Sequence, residues 1–144
     1  MTPYDAYVNT ANMSMSDREI EAEALTRAAL LLQVCQQNWD APDRAGKLAE
    51  ALEFNQKLWS IFQGALAEPD HPMPVELRTN ILRLGRFIDG RIFDMMAYPT
   101  PEKLDVIVRI NQNLAAGLRT GADTTPAWQP VDVETGSLQD EVWA

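Results

Sequence analysis

Apolar residues recur along this chain at helical spacing, in four blocks separated by breaks rich in proline. The densest block is Glu50 to Ala67, EALEFNQKLWSIFQGALA. Leu48, Leu52, Asn55, Trp59, Phe62 and Leu66 make one stripe along it, and Phe54, Leu58, Ile61 and Ala65 make a second beside the first. A helix apolar over so much of its girth needs neighbours on several sides. This stretch is therefore expected to be the central helix of a small bundle.

Upstream, Ser16-Asp17-Arg18-Glu19 has the form of a capping box, with a hydroxyl and a carboxylate able to satisfy each other's backbone amides. It opens a helix expected over about 16–39, with Ile20, Ala24, Ala28, Leu31, Cys35 and Trp39 on one stripe, joined by Leu25 and Leu32. Pro42 ends that pattern, because proline is tolerated only near a helix start. A second helix follows over about 42–67. Pro69, Pro72 and Pro74 then force a connector. The third helix, about 74–97, carries Leu77, Ile81, Leu84, Ile88, Ile92 and Met95. Its Gly85 and Gly90 each cost ~1 kcal/mol relative to alanine and mark a close approach or a weak point.

Thr100-Pro101 is a strong helix start. The fourth helix, about 101–119, places Leu104, Ile107, Asn111, Leu114 and Leu118 inward. Four helices with short connectors predict an all-α, up-down four-helix bundle. Residues 1–15 hold few helix formers, although Tyr4, Tyr7 and Val8 could latch this arm onto the bundle. Residues 120–144 contain five acidic residues, two prolines and no Lys or Arg, the composition of a disordered acidic tail. Trp128 and Trp143 have nowhere to pack within it, so the tail either aids solubility or docks on a partner or on the bundle.

Charge narrows the partners. Twelve basic residues against twenty-one acidic give a net charge of −9, and the pI is near 4.5. Phosphate backbones need clustered Lys and Arg, so no nucleic acid is expected as a partner. Arg78, Arg83, Arg86 and Arg91 fall on the third helix, but their spacing makes no single stripe and solvated arginines are the favoured reading. No apolar run approaches the ~20 residues of a membrane span, and the first residues lack a secretory pattern. A cytoplasmic protein without membrane insertion is expected.

Catalytic chemistry finds little footing. One cysteine, Cys35, and one histidine, His71, leave no paired-histidine or multi-cysteine metal site. A di-iron bundle would need Glu-x-x-His pairs, which are absent, and neither a phosphate loop nor a nucleophile elbow occurs. Glu19, Glu21 and Glu23 alternate around a helix and read as a solvated face. Cys35 reads as a buried inert thiol and His71 as a loop residue. No enzymatic activity, metal or cofactor is expected. Asn55 and Asn111 say more, because each interrupts an apolar stripe where an unpaired amide would cost about 1–3 kcal/mol. They are either satisfied core amides that set helix register or groups that recognise the backbone of a bound segment.

At these residues the chain resembles the FlaF family of flagellar biosynthesis proteins, from about Tyr4 to Arg119. The resemblance rests on ALEFNQKLW (Ala51 to Trp59), MPVELRTNILRLGRFI (Met73 to Ile88) and LDVIVRINQNLAAGLR (Leu104 to Arg119). Its most specific part is Leu52-x-x-Asn55-x-x-Leu58-Trp59, echoed by Ile110-Asn111 and Gly117-Leu118. It implies a FlaF-like helical domain over 1–119 and nothing for the tail. It also implies a cytoplasmic, non-catalytic protein that binds flagellin as a secretion chaperone, promoting its synthesis and export and so filament assembly. FlbT, a regulator of flagellin synthesis, is a second candidate partner, and action through FlbT without chaperoning is the alternative. Leu52, Asn55, Trp59, Asn111 and Leu118 are then family-motif positions, structural or binding. A groove for an amphipathic flagellin segment is expected at Phe54, Leu58 and Ile61, supported by Leu82 and Phe93.

Overall fold

The computed structural model describes residues 17–120, which form four α-helices. They are α1 (Asp17–Gln37), α2 (Arg44–Leu66), α3 (Val75–Ala97) and α4 (Leu104–Thr120), the last entered through a 3-10 turn at Pro101–Lys103. The all-α bundle expected from the periodicity is thus present, with helix bounds within about three residues of those expected. Proline sets several of these bounds. Pro74 is the N-cap of α3, and Pro101 opens the 3-10 turn, where a missing N–H costs nothing. Ser16 of the capping box, the arm with Tyr4, Tyr7 and Val8, and the tail with Trp128 and Trp143 lie outside the described residues.

Helices α1 and α4 are the most intimately packed pair. Buried small residues (Ala22, Ala24, Ala28 and Ala29 on α1, Ala115 and Gly117 on α4) leave room for close backbones. The two run antiparallel and are clipped at both ends. Gln36 Nε2 donates to the Pro101 carbonyl at 3.0 Å and to Asp105 Oδ1 at 2.6 Å. At the other end, Arg119 Nη2 reaches Thr26 Oγ1 at 3.0 Å and Glu23 Oε2 at 3.3 Å. α2 lies against α1, after a turn in which the Arg44 guanidinium stacks over the Trp39 ring at 4.2 Å.

α3 packs mainly on α2. Gly85 lets it do so: a Cβ there would fall 2.7 Å from Gln63 Nε2, which itself donates to Asp89 Oδ2 at 3.1 Å. Of the two meanings open for the α3 glycines, Gly85 has the close approach, whereas nothing lies within 4 Å of a Cβ at Gly90. α3 meets the start of α4 at one corner, where Lys103 Nζ bonds Asp94 Oδ2 and the Tyr98 carbonyl, both at 2.8 Å.

Candidate functional site

The stripes converge on one buried polar cluster. Asn55 Nδ2 donates to the Ala51 carbonyl one turn back on α2 at 2.8 Å, and to the Ala28 carbonyl of α1 at 3.2 Å. Asn55 Oδ1 accepts from Asn111 Nδ2 of α4 at 2.6 Å, and Asn111 Oδ1 accepts from Trp59 Nε1 at 2.9 Å. Both amides and the indole are fully buried. Both Asn55 donor hydrogens, its acceptor, the Asn111 acceptor and the indole N–H are therefore engaged inside the protein. Of the two readings of these asparagines, the geometry is that of core amides tying three helices together in one register. The Trp59 ring completes the layer edge-on to Phe62, with centroids 5.7 Å apart. Leu52 and Leu118 are buried in the same core.

The five residues expected to line a groove separate. Phe54 and Leu58 belong to the core, Leu58 with no exposed surface at all. Leu82 is half-buried against that core. Ile61 is 49% exposed and Phe93 76% exposed. The second stripe of α2 is therefore covered over its first half and open over its second, where Ala65 is also exposed. The end of α3 also exposes apolar side chains, with Phe93, Met96 and Tyr98 close together in sequence. Gln63 opposite Gly85 and Asp89 sets the antiparallel register. That register brings Ile61 within about two helical turns of the level of Phe93.

A second apolar feature lies at the end of the bundle where α1 begins and α4 ends. Phe62, Ala65 and Leu66 of α2, Met73 of the connector, Ile81 of α3, and Leu114 and Leu118 of α4 line a small, half-open cavity. Glu21 and His71 are its polar residues. His71 is held by its own loop, accepting the Met73 N–H at Nδ1 at 3.1 Å. Sequence periodicity could not find this cavity, because its lining comes from five separate elements.

The arginines of α3 are not four equivalent solvated groups. Arg78 is half-buried and donates to three carbonyls: Met73 at 3.1 Å from Nε, and Glu68 at 2.9 Å and Leu66 at 3.4 Å from Nη1. It stands in for backbone donors at the C-terminus of α2, where the last carbonyls have no intrahelical partner and the proline-rich connector is poor in N–H groups. That shortage of N–H groups was the sequence signal for it. Arg91 lies over the Phe87 ring at 5.4 Å. Cys35 is buried on α1, and burial pushes its thiol pKa up, opposed in part by Lys47 and Arg44. Among the described residues, no group of three or more His, Cys, Asp or Glu side chains could hold a metal ion. Nor is any helix among them long and apolar enough to cross a membrane.

The family comparison agrees with this arrangement of motif residues. The chain matches no curated protein and no solved structure. The family model described as flagellar protein FlaF matches residues 3–118, spanning the first two motif blocks, all but the last residue of the third, and the Asn55–Asn111–Trp59 cluster. On that match, the chain belongs to the FlaF family of flagellar proteins.

Proposed function

We propose that this FlaF-family protein binds flagellin as a secretion chaperone and thereby promotes flagellin export and filament assembly. The observation carrying this reading is the open apolar surface of Phe93, Met96 and Tyr98 at the end of α3, with Ile61 on the neighbouring helix. Large apolar side chains exposed together mark an interaction surface more often than scattered ones do. An amphipathic segment offers anchors at i, i+3, i+4 and i+7, which such a surface can cover. Terminal flagellin segments that become helical only in the filament have this character, and covering them would hold the subunit unpolymerised. The buried motif residues have a supporting role, holding the helices that present the surface.

Titration calorimetry against monomeric flagellin, full length and lacking either terminus, tests the proposal. Saturable binding is expected, lost with one terminus and weakened at least tenfold (~1.4 kcal/mol) by Phe93→Ser with Met96→Ser. Binding unaffected by the double variant would remove this surface from the interface. No binding to any form of flagellin, with saturable binding to FlbT, would leave regulation of flagellin synthesis through FlbT as the function.

A further inference from the structure

α3 packs mainly on α2 and turns its opposite face outward. Along that face Thr79, Arg83, Arg86, Gly90, Phe93 and Ala97 are all exposed. Gly90 stands at the middle of the face, and nothing in the chain comes within 4 Å of a Cβ built there. A glycine inside a helix is destabilising, and no packing within the chain requires this one. We propose that this face is a self-association surface, on which a second copy of the chain lays its own α3 antiparallel, the two helices crossing at Gly90.

The occupant follows from the order of charges. With 3.6 residues per turn, Arg86 and Phe93 lie about 40° and 60° to one side of Gly90, and Arg83 and Asp94 about 20° and 40° to the other. A two-fold axis that sets two helices antiparallel brings the same side of each together. With that axis at the level of Asp89, beside Gly90, Arg86 comes level with Phe93 of the second copy to within about 1.5 Å along the helix. On the other side Arg83 comes level with Asp94 of the second copy to within about the same distance. Symmetry repeats both contacts, a guanidinium on an aromatic ring and an ion pair.

Arg86 makes no hydrogen bond or ion pair among the described residues. Asp94 keeps 42% of its side chain exposed beside Lys103. The face is basic on one side of Gly90 and aromatic and acidic on the other, so its complement is the same face reversed. A parallel pairing would instead set Arg83 and Arg86 against their own copies, where like charges repel. Gly90 lets the two backbones approach at the crossing, as a residue with a Cβ would not. One helix on one helix is a small interface, so the dimer is expected to be weak and concentration-dependent. The inference does not rest on flagellin binding, and it implies that a second copy and a client compete for Phe93.

Analytical ultracentrifugation of the full chain, from micromolar to millimolar concentration, tests the proposal. A reversible monomer–dimer equilibrium is expected. Arg83→Glu and Asp94→Arg each place like charges opposite one another twice, and each alone should weaken the dimer about tenfold or more. Mixing the two variants should restore association, because both unlike pairs re-form in the mixed dimer. Helical circular dichroism checks that each variant is folded. Gly90→Cys gives an independent readout: near the axis its two Cα atoms come within the ~7 Å that a disulfide spans, so oxidation should link the copies. Ala97→Cys should not link them, since its two copies stand about 24 Å apart along the helices. A monomer at every concentration overturns the proposal. So does a dimer that neither charge variant weakens, or one that mixing fails to restore. Linkage through Ala97→Cys in place of Gly90→Cys overturns the antiparallel crossing.

Discussion

The two halves of α2 show what this molecule invests in packing and what it leaves open. Through its first half, from Leu48 to Trp59, both apolar stripes are covered, and the Asn55 amide is tied to α1 and α4. Through its second half one stripe continues into the core with Phe62 and Leu66, while Ile61 and Ala65 face outward. α3, which leans on this helix, repeats the contrast: Ile81, Leu84, Ile88 and Ile92 are buried, and Phe93 and Met96 are not. The same residue types thus hold the fold in one place and offer surface in another. The difference lies in how many helices surround them, not in their hydrophobicity.

Substitutions can break this contrast. The largest effect is expected from Leu58→Asp, which puts a carboxylate where no surface reaches water. A buried unpaired charge should exceed ~4 kcal/mol and unfold the protein, visible as lost helical circular dichroism. Asp at this position therefore cannot probe binding alone. Next comes Asn111→Leu, which leaves Asn55 Oδ1 and Trp59 Nε1 without their partners. A loss of about 2–4 kcal/mol in urea unfolding is expected. If stability were unchanged, the clamp would have no structural weight, and the amides would have to be retained for recognition.

Smaller effects sharpen the comparison. Gly90→Ala enters open space inside a helix and should stabilise by up to ~1 kcal/mol. Gly85→Ala meets Gln63 first and must move that side chain, giving up its bond to Asp89. Its propensity gain should be largely offset, so the two alanines should differ in thermal midpoint although both sit on α3. Phe93→Ser should change stability by less than ~0.5 kcal/mol, as surface changes away from packing usually do, while weakening flagellin binding. Cys35 offers the mildest test. With its thiol buried and its pKa raised, iodoacetamide should modify it far more slowly in the native protein than in urea.

The helices themselves were legible at the level of local chemistry. Prolines and the period of the apolar residues placed their bounds, because these act within a few residues of chain. The position of Asn55 and Asn111 on apolar stripes showed that each needed a partner, but not that each would find the other, 56 residues away. The bonds of Arg78 are non-local in the same way, since its acceptors come from the connector and from a different helix.

What the sequence determined by itself is the class of fold, the helix bounds, the faces that had to be buried and membership of the FlaF family. Which apolar residues remained at the surface was decided only by tertiary structure. A stripe records that a helix face is apolar, and burial depends on whether a second and third helix reach that face. On α2 the cover takes in Phe54 and Leu58 and stops short of Ile61, and on α3 it leaves Phe93 exposed. The cavity at the bundle end has the same origin. It exists because five elements meet around a space that none of them fills, a quantity set by three-dimensional packing and carried by no single stretch of chain.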